Sequence, residues 1–88
     1  MANKRELKRD LNYVMGDIIE AAYIHQIANP EADHSKSEAI VDKAIEHFDH
    51  YITKINERKV ENRGAHLKQV NQDIEKDAKA LIKELNAL

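Results

Sequence analysis

The chain has no cysteine. That excludes disulfides, thiolate metal sites and thiol nucleophiles. It has one proline and two glycines in 88 residues, too few for the turns of a sheet protein, while Ala, Leu, Ile, Glu and Lys dominate. That is helix composition. Behind the opening "ANKRELKRD" stands no apolar stretch of the kind that follows the basic region of a signal peptide. No run approaches the ~20 apolar residues of a membrane span. A formal net charge of −2 supplies no general field to draw in nucleic acid or anionic lipid. These absences predict a cytoplasmic protein with no membrane partner.

What is present is helical periodicity in three segments. Leu7, Leu11, Val14, Ile18, Ala21 and His25 form a seam along one face of a first helix, widened by Met15 and Ala22. Pro30 ends it by disfavouring the α conformation at Asn29. In "SKSE", Ser35 and Glu38 stand at capping-box spacing, so Ser35 is expected at the N-cap of the second helix. Val41, Ile45, Phe48, Ile52 and Ile55 supply its seam, with Ile40, Ala44 and Tyr51 flanking. Leu67, Val70, Ile74, Ala78, Leu81 and Leu85 mark the third. The second seam, extended in heptads, meets Lys59, Asn62, His66 and Gln69, so the register breaks near Gly64. A turn at about 58–64 follows, with Asn62 as cap or turn residue. Arg58 and Lys59 would complement the dipole at the second helix's end. The alternative is one bent helix of roughly 50 residues, about 75 Å long.

The expected architecture is all-α: one domain spanning residues 1–88, an up-down-up antiparallel three-helix bundle with helices over about 3–28, 35–58 and 64–87. A chain this short buries only roughly 60–65% of its unfolded surface, so its core is small.

Catalytic chemistry finds little purchase. There is no Gly-rich phosphate loop, no G-x-S-x-G and no H-E-x-x-H. "IEHFDHY" suggests a metal, but with Phe48 as the core direction His47 and His50 both turn toward water, and the Glu-x-x-His order of bundle di-iron sites is absent. His34 and His66 read as solvated, and His25 as a boundary residue of the first seam. The carboxylates fall on polar faces, which leaves no buried acid–base pair. The expectation is a non-enzyme with no metal and no cofactor.

Two binding surfaces remain. On the first helix, Asn12, Gly16, Ile19, Tyr23 and Ile27 form a second stripe at i, i+4 and i+3 steps, pointing away from the seam. A glycine inside a helix costs about 1 kcal/mol relative to alanine, and its structural merit is to let another backbone approach. The stripe therefore predicts a homo-oligomer, a dimer first, or a helical protein partner. The second surface is basic. Lys4, Arg5, Lys8 and Arg9 of the opening, with Arg58, Lys59, Arg63 and Lys68 of the second turn, fall at the same end of an up-down-up bundle. They form a possible nucleic-acid contact, although Glu6, Asp10, Glu57 and Glu61 are interleaved and no aromatic residue is there to stack on a base.

The opening "NKRELKRDLNYV" resembles the start of short uncharacterised bacterial helical proteins that begin with an Asn-Lys-Arg-Glu-Leu-Lys phrase. The resemblance covers about a dozen residues, implies a bacterial cytosolic helical protein, and brings no activity with it.

Overall fold

A computed structural model describes residues 3–88, which form three helices: α1 (Lys4–Ala28), α2 (Ser35–Ile55) and α3 (Arg63–Asn86). All three pairs pack against one another in an all-α bundle with dimensions of 51 × 17 × 16 Å. Short connectors at 29–34 and 56–62 reverse the chain twice, so α1 and α3 run parallel and α2 antiparallel to both. Lys43 paired with Glu84, and His66 bonded to the Lys54 carbonyl, report that antiparallel register. The single bent helix is excluded by the break at 56–62.

Two of the three helices start on an asparagine cap. The Asn3 side chain accepts the Glu6 N–H at 2.8 Å, and Asn62 accepts the Ala65 N–H at 3.1 Å. Each satisfies a main-chain donor that the first turn leaves without a partner, which stabilises by roughly 1 kcal/mol. Helix α2 starts differently from the expected capping box. His34 occupies the cap position without a side-chain cap bond, and Ser35 is already helical. The acceptor is Asp33, whose carboxylate takes the Ser35 N–H at 2.9 Å. The charged carboxylate serves the first main-chain donor of the helix, and the Glu38 N–H that a capping-box serine would bind goes to the His34 carbonyl at 2.9 Å.

Gly64 is not a turn residue. It is the second residue of α3 and has no positive φ. The turn is made by the seven residues before the helix. Helix α2 stops at Ile55, which leaves Arg58 and Lys59 in the connector and Lys54 as the base of its last turn.

The core contains Leu7, Leu11, Met15 and Ile18 from α1, Ile40, Ala44, Tyr51 and Ile55 from α2, and Leu67, Val70, Ile74, Ala78 and Leu81 from α3. For α3 this is the expected seam, with Leu85 half-buried at its end. On α1, Met15 and Ala22 lie at the centre, Val14 and His25 at the margin, and Ala21 in solvent. On α2 the seam is rotated. Ile45 is 48% exposed, whereas Ala44 and Tyr51 are 0% and 4% exposed. The large apolar residues of that helix, from Ile40 round to Ile45, cover an arc of roughly 140° at about 100° per residue, wide enough for a seam along either edge. Contact with two neighbours settles which.

Candidate interaction surface

The rotation of α2 decides what lies beside the α1 stripe. Asn12, Gly16 and Ile19 form one bank of an open groove of about 210 Å³ between α1 and α2, with Met15 in the floor and Ile45 and Phe48 opposite. Ile19 is half-buried against the core rather than fully outward. Closer to the 29–34 connector the groove continues over about 240 Å³ between Tyr23 and Gln26 on α1 and Glu38, Val41 and Asp42 on α2. Tyr23 is 49% and Ile27 78% exposed, joined by Ile24 at 57%. Asn12, Gly16, Ile19 and Tyr23 thus border a groove instead of facing straight away from the bundle, and Ile27 lies exposed beyond its end. Ile45, Glu38 and Asp42 belong to the same face. The signal for Ile45 was its place one position beyond Ala44, readable only once the direction of α2 is known.

Gly16 sits on this face with nothing within 4 Å of the position a Cβ would take. No other part of the chain uses the room it leaves. The same stripe continues toward the N-terminus as Arg9 and Arg5, both exposed, so it changes from apolar to basic along its length. The facing bank of α2 is acidic at the opposite end, through Glu38 and Asp42.

The basic residues do come together. Lys4 is pushed below the ordinary lysine range by partial desolvation first, then by the charges of Arg63, Lys8 and Arg58. Repulsion between α1, the connector and the start of α3 requires these groups to share one end of the bundle. Among the eight cations, Arg9 alone has a carboxylate within 4 Å, Asp10 at 3.7 Å. Glu57 lies instead 3.9 Å from the His66 ring.

The histidines depart from the solvated reading in three of four cases. His34 and His66 are half-buried, and each places Nε2 on a main-chain carbonyl, of Asn29 at 2.9 Å and Lys54 at 2.7 Å. A carbonyl only accepts, so both rings carry their proton on Nε2; His34 joins the two ends of the 29–34 connector, and His66, in the first turn of α3, reaches the last turn of α2 across the 56–62 connector. His47 is half-buried at the α2–α3 seam, stacked on Tyr51 and 3.5 Å from the Asp77 carboxylate. Its wheel position moved inward with the rotation of α2. His50 stays exposed, edge-on to Tyr51. His25 is half-buried at the seam margin, as expected of a boundary residue.

Tyr51, Asp77 and His47 form the polar cluster that sequence reasoning missed. The Tyr51 hydroxyl donates to Asp77. Burial chiefly, then that bond and the charges of Asp77 and Asp73, push the phenol up. Tyr51 therefore keeps its proton and serves as a fixed donor, which satisfies a buried hydroxyl and a half-buried carboxylate together. Asp77 is one position from seam residue Ala78, so its polar-face reading was off by a single helical step.

Among the described residues, no group of three or more His, Asp or Glu side chains is placed to hold a metal ion. The largest surface depression, about 430 Å³, is an open trough between α1 and α3 floored by Leu7, Leu11, Ile74 and Ala78. No described helix is long and apolar enough to cross a membrane. Comparison with known protein families, curated proteins and solved structures yields no match to this chain.

Proposed function

We propose that the protein is a small interaction module, acting by binding and not by catalysis, that pairs with a second copy of itself through the α1–α2 face. The observation that carries this is the set of exposed or half-exposed apolar side chains there: Ile19, Tyr23 and Ile27 along one stripe of α1, and Ile45 across the groove. Scattered apolar residues are ordinary, but a contiguous set beside a groove marks a contact surface. Gly16 adds to it, because its helix penalty is offset by no contact inside the chain.

Charge and size favour a second copy as the occupant. A two-fold axis near Gly16 sets the central apolar residues Ile19, Ile45 and Phe48 against their copies, and Tyr23 and Ile27 against the aliphatic stems of Arg9 and Arg5. It also brings Arg5 and Arg9 of one copy beside Glu38 and Asp42 of the other, an isologous and self-complementary arrangement. A face of 51 by 17 Å offers roughly the 800 Å² per partner that a standard interface buries.

Size exclusion with light scattering tests the reading. The parent at several hundred micromolar should run at twice the 10.1 kDa chain mass. Tyr23→Glu combined with Ile27→Lys should run as a monomer and keep its helical circular dichroism, because neither residue belongs to the core. A parent that stays monomeric at that concentration refutes self-association.

A further inference from the structure

We propose that the end of the bundle formed by the start of α1, the 56–62 connector and the start of α3 binds the phosphate backbone of a nucleic-acid duplex, without reading its bases. Arg58, Lys59, Arg63 and Lys68 of the site lie off the α1–α2 face, and Arg5 and Arg9 border both. The site combines Lys4, Lys8, Arg58 and Arg63 with the exposed Arg5, Lys59 and Lys68 beside them. Eight cations against four interleaved carboxylates leave this end a surplus of about four positive charges in a chain of net charge −2. The rest of the molecule is therefore acidic and repels a polyanion, so docking is confined to the end.

The arrangement works against the stability of the chain. Helix α1 opens on Lys4 and Arg5, and the first turn of α3 contains Arg63 and no acidic residue. Cations at a helix N-terminus oppose the helix dipole, where acidic residues would be favourable. Arg63, Lys8 and Arg58 lie near enough to Lys4 to add their repulsion to the desolvation that lowers it, and seven of the eight cations have no carboxylate within 4 Å among the described residues. Local rules broken together without repayment inside the fold mark a functional surface. The missing counter-charge is then a ligand.

Its chemistry follows from what surrounds the cations. Single-stranded nucleic acid is held on aromatic platforms, and a membrane surface is held by basic residues together with apolar anchors. Among the described residues the exposed large hydrophobics are Tyr13, Tyr23, Ile24, Ile27, Ile45 and Ile82. The nearest of these in sequence to Lys4 is Tyr13, about two and a half turns further along α1. With neither platform nor anchor among the described residues, the end suits a surface whose charge is regularly spaced and fully outward. A duplex presents one phosphate per ~1.7 Å of axis. An end 17 by 16 Å across meets about ten of them, roughly half on the near side.

Fluorescence anisotropy with a labelled 20-base-pair DNA duplex tests the proposal. Four phosphate contacts predict a slope of log K against log salt of about −3.6, or roughly 100-fold weakening between 50 and 200 mM salt. Arg58→Glu with Arg63→Glu should abolish binding at 50 mM salt while the thermal midpoint stays level or rises. Lys76→Glu with Lys79→Glu makes the same change in net charge on exposed positions further along α3, and should retain binding within about threefold. Absence of parent binding at 50 mM salt overturns the proposal. So does an equal loss in both variants, which would reduce the effect to net charge. Parent that sediments with phosphatidylserine vesicles while ignoring the duplex overturns it in favour of a lipid surface.

Discussion

The two ends of this bundle are built from the same parts and used differently. At each end a connector of six or seven residues reverses the chain, and a histidine Nε2 holds it to a main-chain carbonyl. At the 29–34 end the neighbouring helix surface is apolar, through Tyr23, Ile24 and Ile27. At the 56–62 end it is basic and has no exposed large hydrophobic in the described residues of α1 before Tyr13. Helix type and a reversal within six or seven residues are shared, so the difference in surface character lies in side chains that the fold does not need. Surface chemistry that a fold leaves free is where function is recorded.

The comparison is broken most strongly by exchanging the two sets of charge variants. Tyr23→Glu with Ile27→Lys should remove dimerisation, since an unpaired charge in an interface costs about 3–5 kcal/mol, and should leave duplex binding per chain in place. Arg58→Glu with Arg63→Glu should do the reverse. Light scattering and anisotropy on the same four proteins read both. Loss of both activities in either variant would mean that the ends are not independent.

A smaller effect separates the two histidine ties. His66 has a side chain 19% exposed and a 2.7 Å bond, whereas the His34 bond lies in an exposed setting. His66→Ala should lower stability by about 1–2 kcal/mol and His34→Ala by about half that, because a carbonyl nearer solvent regains a water partner. Urea denaturation at equal protein concentration measures the difference, and equal losses would show the two ties to be equivalent.

Gly64 offers a change of opposite sign. A Cβ there meets only the Asn62 side-chain oxygen at 3.6 Å, an ordinary contact, and the backbone is already helical. Gly64→Ala should therefore stabilise by about 0.5–1 kcal/mol. A loss of stability would mean that the α3 start needs a conformation alanine resists.

The smallest effect is confined to acid. Hydrogen bonds from the Ser35 N–H and then its hydroxyl hold Asp33 below the usual carboxylate range. A lowered folded-state pKa contributes stability above the unfolded value, near 3.9, that is lost as pH falls through the folded value. Asp33→Asn should flatten the stability profile below about pH 4 and leave it unchanged at pH 7 apart from the altered cap. A profile still as steep in the variant would assign the acid sensitivity to other carboxylates.

By itself the sequence determined an all-helical chain and the whole buried face of α3, because Leu67, Val70, Ile74, Ala78 and Leu81 leave that helix only one way to lie. It marked a loss of register near Gly64 but left a turn and one bent helix both open, and the tertiary structure chose the turn. The sequence also placed the eight cations at one end, since chain reversal alone puts the starts of α1 and α3 together. Tertiary structure decided the direction of α2, and with it that Ala44 and Tyr51 turn inward, Ile45 outward, and His47 and Asp77 meet at a seam. The physical reason is the width of the apolar surface. A helix apolar on one narrow stripe carries its orientation in its own period, whereas an arc of roughly 140°, as on α2, offers a seam along either edge, and only the shapes of its neighbours choose between them.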